Sequence, residues 1–334
     1  MSNQLVNWGI LSTARIGPRS FIPSAQLTPH AKVLAVASRD QQRAETFARK
    51  YNIPVALGSY QALLDREDIH AIYNPLPNNL HPEWTIRAAK AGKHVFCEKP
   101  LAITSIDGQK MVEACKLSGV LLFEAFVFLH HPQSYRIREI LNSEELGPLR
   151  HISSGMTFNL QDKTDIRMIK ELGGGSIYDG GVYPITFSRF IAGADPISVH
   201  AIMNIDEESG VDLRTVLILE YPNEVTATLY SAFDSGGSQH ARVECSNGYL
   251  DIPSPFHPRE TSTFDVVTRK QVNTKIRSEE INSGVPPFQP TIASIQKFIR
   301  GEQVPSFTAD SAIGTLKIVE SAFESARLGR KVYL

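Results

Sequence analysis

The sequence predicts an α/β chain in two parts. The first is a parallel sheet wound on both sides by helices; the second is an α+β domain on a large open, mainly antiparallel sheet. Two observations carry this expectation. Through residue 123, short apolar segments alternate with amphipathic helical stretches at βαβ spacing. From Arg150 onward, segments alternate apolar and polar residues at period two with few helices between them, as in an antiparallel sheet that covers one face and presents the other. A chain of 334 residues exceeds what one core holds comfortably. Domains are therefore expected over 1–123 and 124–334.

The first half opens with a buried strand over 5–11, and Ser12-Thr13-Ala14-Arg15-Ile16-Gly17 follows at once. In a dinucleotide-binding GxGxxG turn, three glycines allow the tight turn, the backbone approach to pyrophosphate and the packing of helix on strand. Ser12, Ala14 and Gly17 hold those places here, so two glycines are replaced by small residues; plain packing of a small-residue loop explains the segment equally well. A second strand over 32–37 ends in Ser38-Arg39-Asp40, and a helical pattern runs over 41–51. Arg39 lies 22 residues past Gly17, where an arginine accommodates a ribose 2′-phosphate and so selects NADP over NAD. The alternative makes Asp40 a helix cap and leaves Arg39 solvated.

Ala71-Ile72-Tyr73-Asn74-Pro75-Leu76-Pro77-Asn78 then leads to a helix over 83–91, and Val95-Phe96-Cys97-Glu98-Lys99-Pro100 reads as a buried strand ending at a polar crevice. Proline disfavours helix at the residue before it, which predicts Lys99 in an extended or turn conformation. So held, Lys99 presents its ammonium to a ligand, unless the tripeptide is a solvated surface turn. A helix over 105–116 and a strand over 120–123 close this half. Ser12, Ser38, the segment 74–78 and Lys99 all fall at strand ends, where parallel sheets bind ligands.

In the second half a helix over 132–142 precedes strands over 151–158, 198–202, 214–221, 225–233 and 240–245, and helices over 292–300 and 311–328 end the chain. Between the first two strands lies Gly173-Gly174-Gly175-Ser176-Ile177-Tyr178-Asp179-Gly180-Gly181-Val182-Tyr183. With a helix starting near Tyr178, Asp179 and Tyr183 share a face. A carboxylate and a phenol projecting from a glycine-lined turn form a candidate site. The competing reading makes Asp179 a charge on the helix dipole and Tyr183 a core ring with a wet edge.

Composition limits the partners. Thirty-four basic residues against 35 acidic ones leave a formal charge of −1, which gives no electrostatic reason to expect nucleic acid or an anionic membrane. The most apolar stretch, 120–129, contains Glu124 and is too short to span a bilayer, and no signal-peptide pattern is visible at the start. Three widely spaced cysteines suit reduced thiols in the cytoplasm. His130 and His131 are adjacent and point apart on a regular element, so no shared metal is expected, and neither HExxH nor GxSxG occurs.

Taken together, Gly9-Ile10-Leu11-Ser12-Thr13-Ala14-Arg15-Ile16, Ala37-Ser38-Arg39-Asp40, Glu98-Lys99-Pro100-Leu101, Glu124-Ala125-Phe126 and Gly173-Gly174-Gly175 with Asp179 and Tyr183 resemble the Gfo/Idh/MocA oxidoreductase family over essentially the whole chain. The likeness is greatest to the branch containing dimeric dihydrodiol dehydrogenase, NADP-dependent D-xylose dehydrogenase and certain nucleotide-sugar 3-ketoreductases, in which tyrosine stands where many relatives carry histidine. The resemblance implies an N-terminal Rossmann domain and a C-terminal domain that forms a homodimer or higher homo-oligomer through its open sheet. It implies NADP as cofactor, with NAD the other candidate, held by Ser12, Thr13, Ala14, Arg15, Ile16, Ser38, Arg39, Pro75, Leu76, Asn78, His81, Glu98 and Lys99. Lys99, Asp179 and Tyr183 match the family's catalytic set. His131, Phe158, Arg167 and Tyr178 are expected to line the pocket of a sugar, polyol or cyclic diol.

Oxidising an alcohol needs a hydride acceptor, which nicotinamide supplies, and a base for the hydroxyl proton. Tyr183 is the candidate acid/base. A phenol's pKa of about 10 is too high for this work near neutrality. An ammonium within roughly 4 to 6 Å lowers such a pKa by about 1 to 3 units, the part expected of Lys99. Asp179 either holds substrate hydroxyls or fixes Lys99. Two other functions suit the same residues: cofactor-recycling glycoside cleavage, and a non-catalytic NAD(P)-binding sensor.

Overall fold

The structure, a computed structural model, describes residues 5–270, 273–302 and 309–334. The chain divides into two compact units, the described residues of Met1–Ala125 with Val285–Ile313 and of Phe126–Gly284 with Gly314–Leu334. No helix among the described residues is long and apolar enough to cross a membrane. Cys97, Cys115 and Cys245 are free thiols.

The first unit is built on six parallel strands, β1 (Val6–Leu11), β2 (Ala31–Ala37), β3 (Val55–Leu57), β4 (Ala71–Asn74), β5 (His94–Cys97) and β6 (Leu122–Glu124), in the order β3-β2-β1-β4-β5-β6. This is the doubly wound Rossmann arrangement, in which the reversal of strand order beside β1 leaves a crevice at the carboxyl ends of the strands. Helices α1 (Ile22–Gln26), α2 (Gln41–Tyr51), α3 (Tyr60–Leu64), α4 (His81–Lys90) and α5 (Ser105–Leu117) make the crossovers. The short β3 and α3 have too few residues to show a period and were not expected. The core is aromatic: Phe21 stacks on Tyr73 at 4.2 Å and meets Trp8 edge-on at 5.3 Å. Rings so arranged gain about 0.5 to 1.5 kcal/mol beyond the area they bury.

The second unit holds α6 (Pro132–Asn142), β7 (Leu149–Asn159), α7 (Val182–Ala192), β8 (Ser198–Ile205), β9 (Asp212–Glu220), β10 (Thr226–Ala232), β11 (Asp234–Cys245), β12 (Gly248–Ile252), β13 (Thr261–Lys270) and β14 (Asn273–Asn282). Near the end of the chain, α8 (Phe288–Ile299) returns to the first unit, where Ile292, Ile295 and Phe298 join the core. Then come α9 (Asp310–Leu328) and β15 (Val332–Tyr333). The second sheet runs β14-β13-β12-β11-β7-β10-β9-β8-β15. Its pairs are antiparallel except β10 with β7, which are parallel because β8, β9 and α7 intervene between them in the chain. Leu217, Leu219, Ala227 and Leu229 are buried on one face, whereas Ile202 and Ile218 of the other are 66% and 46% exposed. That alternation is the period-two pattern expected from the sequence.

Two local features shape the elements that carry the candidate residues. Ser12 has φ +82°, the left-handed conformation that favours glycine, and its Oγ accepts a hydrogen bond from the Ala14 N–H at 3.2 Å. Serine thus performs the tight turn of the absent first glycine and offsets the strain with a local bond. In the second unit, Asp212 is buried; its Oδ2 accepts from Ser176 Oγ at 2.6 Å, Thr215 Oγ1 at 2.7 Å and the Ile177 N–H at 2.9 Å.

Replacing Ser12 with glycine removes strain and a hydrogen bond together, so stability is expected to stay within about 1 kcal/mol of wild type, whereas Ser12→Val is expected to lose about 2 to 3 kcal/mol. Denaturant titration checks this, and equal midpoints for the two variants contradict it. Burial pushes the Asp212 carboxyl up to about 6, against the pull of its three donors. The folded state therefore binds this proton more tightly than the unfolded chain. The resulting stability is full below about pH 3.8 and is lost as pH rises through about 6. Wild type is expected to lose about 2 kcal/mol relative to Asp212→Asn between pH 4 and pH 7. Parallel stability curves for the two proteins over that range count against it.

Candidate functional site

In the first unit the candidate residues gather at the carboxyl ends of the strands. The segment 12–17 leaves β1, and Gly17–Phe21 forms a π turn before α1. Ser38 is buried at the end of β2, where its Oγ accepts from the Asp40 N–H at 3.3 Å. Asp40 caps α2, its carboxylate accepting from the Arg43 N–H at 2.7 Å, as the alternative reading of this segment held. Arg39 is exposed and still has a neighbour, since its guanidinium and that of Arg43 both pull down the Tyr60 hydroxyl, whose pKa burial otherwise raises. Arg43, not singled out in the sequence, donates from Nε to Thr13 Oγ1 at 2.8 Å. It sits one helical turn past Arg39, so two guanidiniums border the loop. Arg15 is exposed, and Ile16 packs on the core.

The turn carrying Lys99 is braced on three sides. Tyr73 donates its hydroxyl proton to Glu98 Oε1 at 2.5 Å, and the Leu101 N–H donates to Glu124 Oε1 at 2.7 Å. His81 is fully buried, with Nδ1 2.9 Å from the Pro100 carbonyl and Nε2 2.8 Å from the Leu76 carbonyl. It ties the loop after β4 to the turn after β5. Burial drags the His81 pKa down to about 4, and the positive charge of Lys99 presses the same way. A neutral ring carries one N–H and so donates to one of the two carbonyls at a time. Pro75 and Leu76 are buried in this loop and Asn78 is half-buried. Lys99 itself is half-buried in a bend, off any helix, as expected from Pro100.

In the second unit three expected residues come together. Arg167 pairs with Asp179 at 3.5 Å and with Asp165 at 2.9 Å, and its guanidinium lies 5.2 Å from the centroid of the Phe158 ring. The glycines explain how. The Gly174 and Gly175 N–H groups donate to the Ile169 and Arg167 carbonyls at 3.0 and 2.9 Å, holding the Arg167 turn against the start of the helix. A Cβ on Gly174 would sit 2.5 Å from the Arg167 carbonyl oxygen, and one on Gly175, at φ +118°, 2.2 Å from Asp212 Oδ1. Neither position admits a side chain.

The helix predicted to begin near Tyr178 starts as a π turn over Ile177–Gly181 and continues as α7. Such wide turns recur at functional sites. Tyr183 is 6% exposed and lies among Phe126, Phe256 and His257, at centroid distances of 5.3, 5.7 and 4.8 Å. His257 Nε2 lies 3.2 Å from its hydroxyl oxygen. His257 was missed because it sits in a proline-bracketed loop that shows no period. Tyr178 is also buried, its ring 5.8 Å from Phe323 of α9, and burial raises its pKa. His131 is fully buried and caps α6, its Nδ1 accepting from the Gln133 N–H at 3.1 Å. Burial lowers its pKa, and the Arg259 backbone opposes the shift in part.

Comparison with known proteins matches this architecture twice. Residues 6–126 match the oxidoreductase family model described as an NAD-binding Rossmann fold, and residues 135–251 match the Gfo/Idh/MocA C-terminal domain. The chain is 34% identical over 330 residues to D-xylose 1-dehydrogenase (NADP(+)) 2 of Haloferax volcanii, covering 98% of this chain and 99% of that protein. It is 39% identical over 330 residues to dTDP-3,4-didehydro-2,6-dideoxy-alpha-D-glucose 3-reductase of Saccharopolyspora spinosa, covering 97% and 98%. A crystal structure of a 3-ketoreductase from Actinomadura kijaniata in complex with NADP and TDP-benzene superposes with TM-score 0.89 at 28% identity, covering 96% and 98%. The sheet order, two family models and relatives matched along nearly the whole chain thus agree, and the chain belongs to the Gfo/Idh/MocA family of oxidoreductases.

Proposed function

We propose that this chain is an NADP-dependent oxidoreductase that moves a hydride between nicotinamide and a hydroxyl-bearing or carbonyl carbon of a sugar or cyclic diol. Tyr183 is its acid/base, and Lys99 is the cation that lowers the phenol's pKa. The observation that carries this reading is the bracing of the turn that bears Lys99: Tyr73, Glu124 and His81 hold its neighbours Glu98, Leu101 and Pro100 just past the carboxyl end of β5. When bound, the cofactor supplies the hydride exchange. The chain's own residues do the rest. Tyr183 takes the hydroxyl proton during oxidation and returns it during reduction, and Lys99 stabilises the phenolate and the developing alkoxide. Asp179, half-neutralised by Arg167, accepts from neighbouring substrate hydroxyls.

The residues present suit NADP. Ser12 makes the tight turn that a pyrophosphate needs, and Arg39 with Arg43 offers two guanidiniums where a 2′-phosphate is expected. The relatives named above support both the cofactor and the sugar-like substrate class. We also propose a homodimer through the open face of the second sheet, whose Ile202, Val216, Ile218 and Tyr230 form an apolar strip across β8, β9 and β10. The cytoplasm suits its three free thiols.

The test follows NADPH absorbance with purified protein and a panel of aldoses, keto-sugars and cyclic diols, with NADP and NAD in parallel. Turnover of at least one member with NADP is expected, and silence across the panel contradicts the proposal. Arg39→Ala is expected to weaken NADP by about tenfold or more and NAD hardly at all, the loss of one charge-assisted phosphate contact. Equal loss for both cofactors removes Arg39 from 2′-phosphate recognition.

A further inference from the structure

Tyr183 is a buried residue, yet an acid/base must exchange its proton with water once per turnover. Aromatic rings of Phe126 and Phe256 flank the phenol, and neither carries a proton. His257 differs. Its Nε2 is 3.2 Å from the Tyr183 oxygen while the residue as a whole is exposed. The loop that carries it is fixed from β11, where Gln239 Oε1 accepts from the backbone N–H groups of Phe256 and His257 at 3.2 and 3.1 Å. A ring with one nitrogen on the phenol, an exposed body and a held backbone has the geometry of a proton conduit.

We propose that His257 positions the Tyr183 hydroxyl and relays its proton to solvent, an inference that rests on Tyr183 being the acid/base. During oxidation the substrate O–H bond breaks and its proton joins the Tyr183 phenolate. The phenol O–H then breaks as an N–H bond forms at His257 Nε2, and the imidazolium gives the proton on Nδ1 to water. Exchange with solvent restores the original tautomer. Reduction runs the same transfers backwards. In this scheme His257 acts on the reaction through the Tyr183 hydroxyl.

The test measures kcat and KM for His257→Gln, His257→Ala and Tyr183→Phe with D-xylose and NADP, or with the panel member that the chain oxidises, in the presence and absence of imidazole. Both His257 variants are expected to lose about tenfold or more in kcat with KM nearly unchanged. Added imidazole is expected to restore His257→Ala and to leave Tyr183→Phe inactive. Glutamine keeps a hydrogen-bond partner for the phenol and carries no proton, so a His257→Gln enzyme as fast as wild type overturns the relay. Failure of imidazole to rescue a folded His257→Ala overturns it as well. Full turnover by Tyr183→Phe overturns the acid/base reading beneath it, whereas an inactive Tyr183→Phe beside a fast His257→Gln overturns the relay alone.

Discussion

The bond from the Leu101 N–H to Glu124 ties the turn after β5 to the end of β6, and the placing of Lys99 depends on it. A lysine on a free surface loop loses up to about 2 kcal/mol of side-chain entropy when a ligand orders it. Bracing by Glu124, His81 and Tyr73 orders the turn around Lys99 during folding, before any ligand arrives. Each brace comes from a different element: Tyr73 from β4, Glu124 from the end of β6 and His81 from the start of α4. The crevice of the doubly wound sheet is therefore a set of mutually bonded strand ends, and the aromatic core beneath, with Phe21 stacked on Tyr73, keeps them in register.

The second unit reaches the same end by another route. Asp212 gathers Ser176, Ile177 and Thr215 around one oxygen, and the glycines before Ser176 let the chain pass close enough to be gathered. That closeness presents Asp179 to Arg167 and starts the helix that carries Tyr183. A buried carboxylate is an expensive anchor, as its raised pKa shows. Its value lies in geometry, because three donors on one oxygen fix the turn in a way that apolar packing does not.

The sheet of the first unit was legible because βαβ units repeat with a period that single residues do not disturb, and Lys99 was legible because proline restricts the residue before it. Ser12 was harder to read: only coordinates reveal that a serine occupies the left-handed turn of a missing glycine. Asp40 and Arg39 show two readings of one tripeptide coexisting, the first as cap and the second beside Tyr60. Arg43, Asp212 and His257 were invisible for one reason, that each acts through a partner 30 or more residues away in the chain. The hairpin β13–β14 and the parallel pairing of β10 with β7 likewise depend on long-range pairing, and so does the return of α8 to the first unit.

The central proposal is that the Lys99 ammonium lowers the pKa of the Tyr183 phenol. The direct measurement is an NMR titration of protein carrying ¹³C at the tyrosine ζ carbon with NADP bound, the Tyr183 signal assigned by its loss in Tyr183→Phe. The account predicts a Tyr183 pKa clearly below the usual value of about 10, rising by about one unit or more in Lys99→Met. A titration that Lys99→Met leaves unmoved would contradict it.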